Sequence, residues 1–174
     1  MNTSDDLANA CFIVVAIVIL IRWVIASSKG KLEIELPKRM YDPGEKIFGS
    51  VNLISHKRLE MECFYVSLIC SERGGEGENS RNIYHEKHIV AEAGTLLLGN
   101  NKRFEFSFLL PGGEDTQEMT ELSKNITGGL EAVANVTSAM KKHPQWLSWS
   151  VCAAAELPGI DLWNEKSIRI NKIS

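Results

Sequence analysis

The feature that most limits how this chain can fold is an unbroken apolar stretch, Ala10 to Ile21, inside a window from Leu7 to Ala26 whose only polar residues are Asn9 and Arg22. A helix that is apolar on every side has no face for water, so this segment does not read as the surface helix of a globular domain. At 1.5 Å per residue the window spans about 30 Å, the thickness of bilayer hydrocarbon. Residues 1–26 are therefore expected to form a transmembrane anchor. Leu7, Phe12 and Leu20 would sit in hydrocarbon, while Arg22 and Trp23 suit the headgroup boundary, where a long cationic stem and an amphipathic ring are both accommodated.

The flanking charges choose between an anchor and a cleaved signal peptide. A signal peptide carries its basic residues before the apolar run and a small-x-small site after it. Here Asp5 and Asp6 precede the run, and Arg22, Lys29, Lys31, Lys38 and Arg39 follow it. Basic residues hold their end of a span in the cytoplasm, which predicts a single-pass protein with an outside N-terminus and a cytoplasmic body. The sequons at Asn2, Asn125 and Asn135 matter only in a glycosylating lumen and weigh little against this asymmetry.

The remainder carries no global basic excess. The net charge is −3 and the pI about 5.8, so the phosphate-neutralising term of nucleic-acid binding is missing and nucleic acid is not expected as a partner. Cys11 lies in the anchor, and Cys63, Cys70 and Cys152 lie in apolar runs with no C-x-x-C pair. They read as buried small hydrophobes rather than as a disulfide or zinc framework.

After a short linker at residues 27–30, the pattern changes to alternation. Leu32, Ile34 and Leu36 alternate with Glu33 and Glu35 up to Pro37, and Asp42-Pro43-Gly44-Glu45 has the composition of a turn. Ile47 to Ile54, Glu60 to Glu72, Tyr84 to Ala91, Thr95 to Leu98, Arg103 to Leu110, Trp149 to Leu157 and Lys166 to Ile173 read as strands. In the fifth of these, Phe104, Phe106 and Phe108 share one face. Short strands with turns at this spacing predict an antiparallel β-sandwich over residues 31–174.

One segment departs from that pattern. Met119, Leu122, Ile126, Val133, Val136 and Met140, joined by Leu130, recur at helical spacing. A helical insertion is expected at about 115–143, opened by a capping box at Asp115 and Glu118 and kinked or split at Gly128-Gly129. Its apolar stripe must either cover the sandwich or dock another protein, and those six residues are the candidate protein-binding set.

No catalytic constellation emerges. His85-Glu86-Lys87-His88 spaces its two histidines three apart on a strand, which sends them to opposite faces, where H-E-x-x-H chemistry needs one helical face. Neither a G-x-S-x-G elbow nor a phosphate-cradling loop is present. No enzymatic activity, cofactor or metal is expected.

Tyr41-Asp42-Pro43-Gly44-Glu45-Lys46-Ile47-Phe48-Gly49-Ser50-Val51 resembles the Y-x-P-G-E-x-hydrophobic-x-G-x-V opening of arrestin-type domains. The run from Leu97 through Phe104, Phe106 and Phe108 to Pro111 is similar to a later strand of that family, and Trp149 to Ala155 and Lys166 to Ile170 resemble its last two. The resemblance covers roughly Lys31 to Ile173 without the insertion, and extends to the sporulation-control relatives of the family. It implies a mainly β, immunoglobulin-like sandwich that works by binding proteins. Arrestins proper carry two tandem sandwiches, and the membrane-recruited α-arrestins carry P-P-x-Y motifs; neither is present here. The expected function is that of a membrane-anchored adaptor or scaffold whose partners are other proteins. The alternative is an extracytoplasmic sandwich binding envelope polymers or carbohydrate, which would need a cluster of exposed aromatics drawn from Trp146, Trp149 and Trp163.

Overall fold

The structure is a computed structural model that describes residues 13–17, 19–20, 28–73, 80–96, 101–112 and 126–171. Its eight strands are β1 (Gly30–Glu35), β2 (Met40–Tyr41), β3 (Lys46–Ser55), β4 (Leu59–Glu72), β5 (Arg81–Leu96), β6 (Asn101–Leu109), β7 (Leu147–Glu156) and β8 (Leu162–Ile170). They form a three-stranded sheet in the order β1-β3-β6 and a five-stranded sheet in the order β2-β8-β7-β4-β5. All pairings are antiparallel except the short β2–β8 bridge. The expected mainly β sandwich is what forms.

The alternating residues explain the two layers, because side chains at i and i+2 share a face. Leu32 and Ile34 of β1, Ile47, Val51 and Leu53 of β3, and Phe106 and Phe108 of β6 are buried from one side. Phe64, Val66, Leu68 and Cys70 of β4 and Trp149, Val151, Ala153 and Ala155 of β7 meet them from the other. Rings interlock at the centre, with Phe64 and Phe104 centroids 4.9 Å apart and Phe106 and Phe108 5.6 Å apart. Cys70 and Cys152 are buried and Cys63 half-buried, all as free thiols.

Two strands differ from their expected extents. The pieces expected at Tyr84 to Ala91 and Thr95 to Leu98 are a single strand, β5, which runs to Leu96 and keeps its pairing with β4 past two register shifts. The last strand begins at Leu162, four residues before the expected Lys166. Its inward positions include Asn164 and Lys166, whose side chains donate to Leu32 O and, at 3.0 Å, to Ile34 O of β1. Polar residues at inward positions hide the alternation; here they satisfy the free edge of the facing sheet.

At the N-terminal side, Ile13–Ile17 and Ile19–Leu20 are helical, and Ile13, Val14, Val15, Ile17, Ile19 and Leu20 are all at least half exposed. Among the described residues no helix is long and apolar enough to cross a membrane. Leu7, Phe12, Arg22 and Trp23 lie outside the described residues. Gly30, expected as the end of a linker, is the first residue of β1, and Lys29 before it is buried.

Candidate interaction surfaces

The described part of the insertion holds a helix, α1 (Gly129–Lys142), that starts at the glycine pair expected to kink or split it; residues 113–125 lie outside the described residues. Gly128 has φ 91° and Gly129 φ 54°, a left-handed turn that residues with a Cβ adopt only with strain. It swings the chain out of a bridge in which Ile126 pairs with Glu86 and Thr127 N donates to His85 O at 2.9 Å. This end of the insertion thus bridges to the edge of β5.

Ile126, Val133, Val136 and Met140 are all buried and belong to the main core, together with Ala132. For these four the docking-face reading gives way to the covering one: their stripe is spent on the chain's own sandwich. Met119, Leu122, Asp115 and Glu118 lie outside the described residues. Leu130 does not join the stripe and is 57% exposed. At 100° per residue it lies roughly a quarter-turn or more from the direction shared by Val133, Val136 and Met140.

Beneath the insertion is a polar cluster that the sequence did not reveal. Tyr84, Glu86 and His88 alternate along the inner face of β5. Glu86 has no exposed surface. Its Oε2 accepts a 2.9 Å hydrogen bond from the Tyr84 hydroxyl, and its Oε1 lies 2.7 Å from His88 Nε2, at ion-pair distance but without the alignment of a hydrogen bond. His88 rests on the Phe108 ring at 4.7 Å and Tyr84 on Trp149 at 5.7 Å. Burial, then the neighbouring Glu86, pushes the Tyr84 phenol well above its ordinary value. His85 faces the other way, as expected, and burial and Lys87 hold its imidazole below the usual range. Among the described residues no group of three or more His, Cys, Asp or Glu is placed to hold a metal ion.

A groove of about 780 Å³ lies on the outer side of the three-stranded sheet. Leu36, Pro37, Phe48 and Phe106 give it apolar walls, and Glu35, Arg103 and Glu105 a charged rim. Its floor is Gly49. A Cβ there would meet Phe106 Cζ at 2.4 Å and Glu35 O at 2.8 Å, so only glycine lets the Phe106 ring and the β1 backbone close up as they do. Phe48 stands exposed beside it at 58%. Glu35 binds across the sheet to Ser50 Oγ (3.3 Å), Asn52 Nδ2 (3.0 Å) and Arg103 (3.4 Å). The preceding turn is built as its composition indicated: Glu45 N donates to Asp42 O, Gly44 takes φ 77°, and the Glu45 carboxylate binds Asp42 N and pairs with Lys38, which holds it below the ordinary carboxylate range.

The three candidate tryptophans do not cluster. Trp149 is buried, Trp146 stacks on His143 at 4.4 Å, and Trp163 is exposed at the start of β8. Trp163 is opposite Ala154, so eight residues of β7 and its lead-in, roughly 26 Å, separate the two exposed rings.

No protein-family model and no curated protein sequence matches the chain. Among solved structures it is similar to the sporulation control protein Spo0M from Bacillus subtilis, with a TM-score of 0.54 and 17% identity over 82% of this chain and 49% of that one. It therefore spans about half the length of Spo0M. A Pseudomonas fluorescens alkylpurine DNA glycosylase, AlkC, aligns with 82% of this chain and 31% of its own at 11% identity, but its TM-score of 0.39 carries no argument about fold. The two sheets, their order and the likeness to Spo0M together show that this chain shares an arrestin-like β-sandwich fold.

Proposed function

We propose that the protein is a non-catalytic adaptor, held at a membrane by its N-terminal helix and binding another protein through the groove beside Phe48. The observation that carries this reading is the groove itself: apolar walls, a charged rim and a large exposed aromatic on a rigid sheet are the ingredients of an anchor pocket for a partner side chain. The exposed apolar residues of the N-terminal helix support the anchor, because a helix with no polar face needs a non-aqueous environment. Tethering confines both partners to a surface, so an interface of modest area suffices. The separation of Trp146 from Trp163 counts against the polymer-binding alternative, which requires neighbouring exposed rings.

The test is affinity purification of the full chain from solubilised membranes, comparing the wild type with Phe48→Glu. Phe48 is exposed, so the variant should keep its melting temperature within a degree or two and lose a stoichiometric partner. Retention of the same partner at the same ratio would refute the groove as the binding site.

A further inference from the structure

We propose that the protein pairs with a second copy of itself, edge to edge along β6, so that two three-stranded sheets become one of six strands. β6 closes its sheet: it bonds to β3 on one side and, among the described residues, to no strand on the other. Native free edges are commonly blunted by proline, by bulges or by charges turned inward. β6 has no proline and no register shift against β3, and its one charge at an inward position, Lys102, is exposed near the strand's start.

The ladder with β3 decides which groups face the open edge. Leu110 N donates to Glu45 O at 3.0 Å, one step beyond the Lys46–Leu109 pair. Hydrogen-bonding residues alternate along an antiparallel ladder. The even-numbered residues of β6 therefore bond to β3, and the backbone groups of Asn101, Arg103, Glu105 and Ser107 point away from it. A second β6 must then dock with odd residues opposite odd residues. A two-fold axis through Glu105 sets that carboxylate against its own copy, and one through Arg103 does the same for the guanidinium; like charges directly opposite destabilise a sheet. An axis through Phe106 leaves Glu105 opposite serine. An axis through Phe104 sets Arg103 opposite Glu105 of the second copy, twice over, with Asn101 opposite Ser107 at both ends.

Both charges are available for that pairing. Glu105 is exposed and forms no ion pair among the described residues. Arg103 lies 3.4 Å from Glu35 with both side chains more than half exposed, and its five donors can serve two carboxylates. Glu35 keeps Ser50 and Asn52 as partners if the guanidinium turns. Phe48 lies on β3, one strand in from the seam, so the two grooves of the pair open on the same side of one sheet.

The experiment is disulfide crosslinking in intact cells between two differently tagged full-length chains, one carrying Asn101→Cys and the other Ser107→Cys. Hydrogen-bonded partners in an antiparallel pair have Cα atoms about 5.5 Å apart, within disulfide reach. A dimer carrying both tags should form, and only when both new cysteines are present. Adding Arg103→Glu to both chains, or Glu105→Arg to both, should cut its yield several-fold by placing like charges opposite each other. Arg103→Glu on one chain with Glu105→Arg on the other should restore the yield, because each new charge then faces its opposite; that recovery also shows that neither substitution acts by unfolding the chain. No crosslink in the starting pair, a yield indifferent to the like-charge combinations, or no recovery in the mixed pair overturns the β6 seam. None of these outcomes bears on the anchor or on what fills the groove.

Discussion

Glu86 concentrates more consequence in one side chain than any other residue described. Its carboxylate is sealed between Leu68 of β4, its cross-strand neighbour, and the Ile126 bridge, with Tyr84 and His88 as its polar contacts. Removing one partner of a buried pair leaves the others desolvated and unmatched, so Glu86→Ala should cost about 3–5 kcal/mol in urea unfolding. Tyr84→Phe deletes a single hydroxyl and should cost about 1–2 kcal/mol. The buried thiols and phenol also set the alkaline limit. Burial pushes Cys70 up to about 12 and Cys152 to about 11, and Tyr84 is raised as well. The folded state therefore holds these protons more tightly than the unfolded chain. Their contribution is complete below the unfolded values, about 8.5 for a thiol and 10 for a phenol, and is lost as pH rises towards the folded ones. Thermal melts should show stability falling progressively above about pH 8.5, and Cys70→Ala should flatten part of that fall; a melting temperature independent of pH from 8 to 11 would contradict it.

Elements were legible in the sequence where one residue type explained one face, and illegible where a polar group had been turned inward. The Phe104-Phe106-Phe108 strand, the Pro43-Gly44 turn and the apolar alternation of β1 all follow from period-2 patterning and turn chemistry. β8 was displaced by Asn164 and Lys166, and the Tyr84-Glu86-His88 cluster stayed hidden because nothing in a single sequence distinguishes a paired inward carboxylate from an exposed one. The groove was invisible for another reason: Gly49 reads as a bulge or close approach, and only the third dimension shows that it admits Phe106. The insertion's stripe was seen, but its destination depended on tertiary packing. If α1 is a cover, Met140→Ala should cost about 2–5 kcal/mol, whereas Leu130→Ala on the exposed side should stay within about 0.5 kcal/mol. Equal and negligible effects in chemical denaturation would detach the helix from the core. Gly49→Ala should destabilise by about 1–3 kcal/mol through overpacking, since backbone at Glu35 as well as the Phe106 ring must move.

At the scale of the whole molecule, two edges of the sandwich are covered among the described residues. β8 side chains cap the β1 edge, and the insertion covers part of the β5 edge and extends the core. The groove beside Phe48 lies on a sheet that starts one residue after Lys29. With the anchor inserted and the charge asymmetry deciding orientation, protease added to sealed right-side-out vesicles should leave the body intact until the membrane is permeabilised. The adaptor reading is met most directly by site-specific photo-crosslinking in cells, with a photoreactive phenylalanine at position 48 of the full chain and, as a control, at Leu130 on the exposed side of α1. The account predicts a discrete, membrane-associated adduct from position 48 and none of that size from position 130. The same adducts from both positions, or none from position 48, would contradict it.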